Sequence, residues 1–120
     1  DLSDITMDYV SSINDDSEIA FYDILGSQAH SLMLFQNDII TKNDAKKILS
    51  ALESMKKESF DSSSGAEDIH ELIESLVIKK AGMASGGKMH TARSRNDQVV
   101  LDIRMKIRDD INIICNCCTD

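Results

Sequence analysis

The sequence contains no proline and no tryptophan, and aromatic residues make up only 4% of its 120 positions. Without proline no residue removes a backbone donor or blocks a helical turn. Leu, Ile, Ala, Lys, Glu and Met are plentiful instead, and their side chains keep their freedom in helices. No apolar run approaches the roughly 18 residues that cross a bilayer, and the opening Asp1, Leu2 and Ser3 do not read as a signal peptide. Cysteine is confined to Cys115, Cys117 and Cys118. Three crowded thiols cannot build a disulfide framework. A tetrahedral metal site needs four convergent ligands, and the nearest histidine, His90, is a helix away, so no metal is expected and the cysteines are read as ending a buried helix. A formal net charge of -8 lacks the broad basic surface of a general nucleic-acid binder. With 42% apolar and 28% charged residues the chain is neither disordered nor membrane-like in composition. One modest, soluble, cytoplasmic domain over 1–120 is the expectation, with neither nucleic acid nor membrane as partner.

One absence is local. Residues 75–96 contain no Asp or Glu, yet Lys79, Lys80, Lys88, Arg93 and Arg95 all fall there. Such segregation of sign in an acidic chain points to an anionic partner.

The rest of the chain reads as helix. Over 67–80, Ile69, Leu72, Ile73, Leu76 and Val77 recur on one helical face, with acids early and lysines late as the helix dipole favours. A second helix is predicted over 41–57, with Ala45, Ile48, Leu49, Leu52 and Met55 on one face and Thr41 followed by Asp44 as its capping start. A first, over 17–37, carries Ile19, Tyr22, Leu25, Ala29, Leu32 and Phe35, with His30 as a structural residue. A fourth begins after "RSRND" and continues at least to Cys118. Its apolar residues, Val99 to Ile114, lie on more than one face, which predicts neighbours on several sides. The connectors are "DSSSG" (61–65) and the glycine-rich "GMASGGK" (82–88), read as a loop. No strand alternation occurs, so the fold class is all-α, with about four helices.

Three readings of the basic turn compete. "GMASGGK" matches the start of a phosphate loop, but Met89 stands where a magnesium-holding hydroxyl is needed, and a helix precedes it rather than a strand. A purely structural reading makes Ser94 or Asn96 the cap of the fourth helix, with Asp97 in its first turn. That leaves Lys88, Arg93 and Arg95 gathered where the helix dipole disfavours cations. A carboxylate site uses all of them: helix N-terminal amides, hydroxyls, an Asn amide and an Arg fork are complementary to a small dicarboxylate.

"GGKMHTARSRNDQVVLDIR" (86–104) closely resembles the signature of the argininosuccinate lyases, in the fumarase and aspartase superfamily. "SSIN" followed by "FYDILGSQAH" resembles the family's early substrate-binding segment and first helix, and "EDIHELIE" its third-helix signature. The order and separations agree along almost all of the chain.

The resemblance implies the N-terminal helical domain of the fumarase/aspartase-like fold and an enzyme that splits argininosuccinate into arginine and fumarate without a cofactor. Ser94, Arg95 and Asn96, with Thr91 nearby, would hold the succinate part. Ser12 and Asp16 match the positions that contact the arginine part, with Asp15 an ambiguity of one residue; an ordinary acidic helix start explains the same segment. Asp68, His70, His90, Lys88 and Arg93 would position these groups without touching the chemistry. Ala92 stands where the family usually has glycine, which strains the turn if φ is positive there. The family's mobile loop, Gly-Ser-Ser-x-Met-Pro-x-Lys-x-Asn, and its later Thr-His segment do not occur in these residues. The implied catalytic set in this chain is therefore none, and the family's homotetramer, with active sites shared between subunits, would need the central bundle. A non-catalytic relative like the lens δ-crystallins, or a truncated helical interaction module, is the alternative. Uncovered apolar faces would make the isolated chain self-associate or stay partly molten.

Overall fold

The computed structural model describes residues 17–58, 60 and 68–119, and among these it contains only helices and turns. Ser12, Asp16 and the 61–65 connector lie outside the described residues. After a 3-10 turn (Ser17–Ile19) come α1 (Ala20–Gln36), α2 (Lys42–Met55), α3 (Ile69–Ala81), the single turn α4 (Met83–Gly86) and α5 (Arg95–Thr119). The all-α reading holds. No helix of the described residues is long and apolar enough to cross a membrane.

Local chemistry accounts for the boundaries. At the start of α2 the Asp44 amide donates to Thr41 Oγ1 at 3.1 Å, and the Thr41 amide donates to Asp44 Oδ2 at 3.2 Å. This reciprocal box satisfies two amides that the helix itself leaves unpaired. Asp68 caps α3 by accepting from the Glu71 amide at 2.7 Å, so the helix starts at Ile69 and not at 67. The "GMASGGK" segment is not the predicted loop. Gly82 ends α3 at φ 82, which glycine adopts without penalty, and α4 follows at once. At Gly86 a Cβ would fall 2.7 Å from Ile78 Cα, so this glycine lets α4 press against the backbone of α3. The glycines reverse the chain and permit close packing.

The core lies between α1, α2 and α3: Ile24 and Leu34, then Ile48, Leu52 and Met55, then Ile69, Ile73 and Val77, closed by Met89. The predicted faces of α2 and α3 are the ones buried.

Two faces differ from expectation. On α1 the buried residues are Ala20, Asp23, Ile24, Gly26, Ser27, Ser31 and Leu34, whereas Leu32 and Phe35 are exposed. The inward stripe carries Asp23, Ser27 and Ser31 at intervals of four. It is tolerated because Ser31 Oγ donates to the Ser27 carbonyl at 2.8 Å and partners from the basic turn reach Asp23 and Ser27. On α5 only Gln98 and Asp102 are buried, while Val100, Leu101, Ile103, Ile107, Ile111, Ile113 and Ile114 are exposed. The neighbours predicted for several sides of this helix are not among the described residues. Cys115, Cys117 and Cys118 are likewise exposed rather than ending a buried helix.

Candidate functional site

The basic turn joins α4 to α5 and packs over α1. Ser94 precedes α5 and accepts from the Asn96 amide at 3.3 Å through Oγ, while its carbonyl accepts from the Gln98 amide at 3.2 Å. Ser94 is thus the cap that the sequence offered as one of two choices, and it exists because a hydroxyl there satisfies an otherwise unpaired amide. Thr91, Ser94 and Asn96 are exposed, and the Arg95 side chain is about one-third exposed (36%). His30 donates from Nε2 to the Thr91 carbonyl at 2.9 Å, so a histidine read as structural pins the turn to α1.

Ala92 has φ 57. A Cβ in this left-handed region crowds the following carbonyl, which glycine avoids. Ala92→Gly is expected to raise the unfolding free energy by about 0.5–1 kcal/mol, the released strain being partly offset by a more flexible unfolded chain. Urea denaturation of the two chains checks this.

The cations of the turn point in different directions. Lys88 donates to Asp44 Oδ2 at 2.7 Å, and Ser85 Oγ donates to Asp44 Oδ1 at 2.8 Å. Lys88, then Thr41 and Ser85, hold the Asp44 carboxyl well below the usual carboxylate range. Arg93 turns inward. Its guanidinium donates to Ser27 Oγ at 3.2 Å and to Asp23 Oδ1 at 3.3 Å, and only 7% of the side chain is exposed. Arg95 faces outward, its Nη1 3.4 Å from Asp68 Oδ1 and its Nη2 3.9 Å from Glu74 Oε2. The acid-free window is therefore matched in space by acids from α1, α2 and α3. Of the three cations in the turn, Arg95 holds the longest pairs, and both of its acids are partly exposed, so an incoming carboxylate can exchange them at little cost.

Beneath the turn lies a polar cluster that the sequence did not announce. Asp23 and Asp102 are both 0% exposed, with His70 and Gln98 at 2%. Gln98 Nε2 donates to Asp23 Oδ1. His70 Nδ1 lies 3.4 Å from Asp23 Oδ2 and 3.6 Å from Asp102 Oδ2. Burial, followed by the charge of Asp23, pushes the Asp102 carboxyl up to about 7. At His70 burial opposes charging, but the Asp23 contact and the fields of Asp23, Asp68 and Asp102 outweigh it and raise the imidazole. At His90 burial dominates and, with Arg93 and Arg95, lowers the imidazole despite nearby Glu74. The signal available in the sequence was an i, i+4 pair of polar residues, Gln98 and Asp102, in an otherwise apolar stretch.

These shifts have opposite signs in pH. Asp102 contributes stability that is fully present below its ordinary value of 3.8 and is lost as pH rises through about 7. Asp44 contributes stability that is present above 3.8 and lost as pH falls toward its depressed value. Asp102→Asn is expected to flatten the fall in melting temperature between about pH 4 and 7 and to leave the acid limb below it, as calorimetry across pH would show.

No family model matches the chain. Curated relatives do. It is 83% identical over all 120 residues to the argininosuccinate lyase of Nitrosopumilus maritimus, and covers 25% of that protein. It is 48% identical to the argininosuccinate lyase of Syntrophotalea carbinolica over 86% of this chain and 23% of the relative. The chain belongs to the argininosuccinate lyase family. The argininosuccinate lyase of Methanocaldococcus jannaschii adds 44% identity over 88% of this chain and 22% of its own length. The chain spans about a quarter of the length of the argininosuccinate lyases it matches.

Proposed function

We propose that this chain supplies the succinate-binding turn of an argininosuccinate lyase that cleaves argininosuccinate to arginine and fumarate by β-elimination. In that reaction a base takes a proton from the carbon beside a carboxylate, the C–H electron pair becomes the C=C bond of fumarate, and the C–N bond breaks. Before it breaks, negative charge doubles on the carboxylate. Donors already aimed at that carboxylate lower the barrier because they need no reorganisation as the charge develops.

The observation that carries this reading is the ribbon of exposed Thr91, Ser94 and Asn96, with partly exposed Arg95 among them, at the N-terminal end of a 25-residue helix. The helix end, two hydroxyls, an amide and the outward-facing Arg95 fork offer hydrogen bonds and positive potential to one anion. Ser12 and Asp16 are assigned to the cationic arginine part, and Asp68 to orienting Arg95. Lys88 and Arg93 act as anchors of the turn, with His90 beside them. The base is contributed from elsewhere, so no catalytic residue is assigned here. The chain acts as one helical domain of a cytoplasmic homotetramer with no cofactor.

The test is a chimera in which this chain replaces the 120 matched residues of the Nitrosopumilus maritimus lyase, which is 83% identical to it. Release of fumarate from argininosuccinate at within about tenfold of the parent rate is expected. A chimera that assembles as the parent does but releases no fumarate would overturn the reading in favour of a non-catalytic relative.

A further inference from the structure

The turn is fastened on both sides to one carboxylate. Arg93, just before Ser94, and Gln98, one helical turn after it, both donate to Asp23 Oδ1. Ser27 Oγ donates to the same oxygen at 3.4 Å. Asp102 sits one turn further along α5, where the bare backbone of Gly26 leaves room for it. A Cβ on Gly26 would lie 3.3 Å from Asp102 Oδ1.

The charges facing Asp102 are Asp23 from α1, His70 from α3 and Arg93 from the turn, and Asp68 at the start of α3 adds its field at His70. With Arg93 set against Asp23 and Asp102, one negative charge is left over in a region without solvent exposure. Neither Asp102 oxygen, nor Asp23 Oδ2, nor His70 Nδ1 has a hydrogen-bond partner among the described residues. His70 Nδ1, 3.4 and 3.6 Å from two carboxylate oxygens, is placed so that a proton on it or on the facing carboxyl would be drawn to both sides. One proton removes both problems.

We propose that Asp102 is a positioning residue for the carboxylate-binding turn, acting through a single proton that it shares with His70. With the proton in place, the two carboxylates stay together and α5 starts where Arg93 and Gln98 can both grip Asp23. When the proton leaves, two buried carboxylates face each other with one cation between them. The first turns of α5 then shift away from α1, and Ser94, Arg95 and Asn96 move with them. The role at the anion rests on the proposed lyase reading; the shared proton does not.

The test has two arms. In the chain itself, the backbone amide signals of Ser94, Arg95 and Asn96 and the side-chain carboxyl of Asp102 are followed by NMR through the neutral range. A single concerted step is expected in the wild type, and none in Asp102→Asn, whose amide mimics the protonated acid. Amides that stay still while Asp102 titrates, or a step that persists in Asp102→Asn, would overturn the proposal. The wild-type titration decides alone if the variant does not fold. In the Nitrosopumilus maritimus chimera, KM for argininosuccinate is expected to rise by about tenfold above the step, and to stay flat in Asp102→Asn. An active chimera whose KM ignores pH would overturn the positioning role. An inactive wild-type chimera would overturn the lyase reading, with the NMR arm still deciding the proton.

Discussion

Replacing Asp23 by asparagine is expected to lower the unfolding free energy by about 3–5 kcal/mol, the range for removing one partner of a buried ion pair. Asp23 is 0% exposed and receives Arg93, Gln98 and Ser27 on a single oxygen. The Arg93 side chain is only 7% exposed, so its charge has little water to turn to once the carboxylate is gone. Asparagine keeps the volume, which confines the loss to the charge. Chemical denaturation of both chains measures it. The pair Asp23→Asn with Arg93→Met should recover most of the loss, since removing both charges leaves neither stranded. A loss under about 1 kcal/mol for the single variant would show that Asp102, which also faces Arg93, takes over as its partner.

Ser94→Ala in the lyase chimera is expected to lower kcat/KM by about 10²–10³-fold, the range for losing one preorganised donor to a developing oxyanion. The serine has two roles that must be separated. Its Oγ accepts from the Asn96 amide, so alanine also removes a helix cap, worth about 1 kcal/mol of stability. Ser94→Gly keeps most of the capping preference, because glycine at that position loses only a few tenths. If the hydroxyl binds substrate, both variants lose activity alike and differ in stability. If it is only a cap, glycine restores the rate. Steady-state fumarate release and melting curves on the same two proteins distinguish these outcomes.

The helices were legible because their signals are local. Thr41 followed by Asp44 announced a cap, and the repeat of Ile69, Leu72, Ile73 and Val77 announced the buried face of α3. The motif at 91–96 drew attention to the turn, where Thr91, Ser94 and Asn96 are exposed and Arg93 turns inward. The sequence misled on α1, where hydrophobicity placed Leu32 and Phe35 inward and the structure buries Asp23, Ser27 and Ser31 instead. Periodicity ranks residues by apolar character, so it cannot anticipate a polar stripe whose partners come from the turn some 70 positions away.

By itself the sequence determined the helical class, the cap at Thr41, the choice of Ser94 or Asn96 as the cap of α5 and the concentration of cations before α5, because each depends on residues within a turn or two of one another. The division of labour among those cations belongs to the tertiary structure. Lys88, Arg93 and Arg95 carry the same charge within eight residues, and what separates them is the acid each one meets: Asp44 on α2, Asp23 on α1, and Asp68 beside Glu74 at α3. Coulomb energy and desolvation depend on distance through space and on burial, and both are set only once the helices have packed.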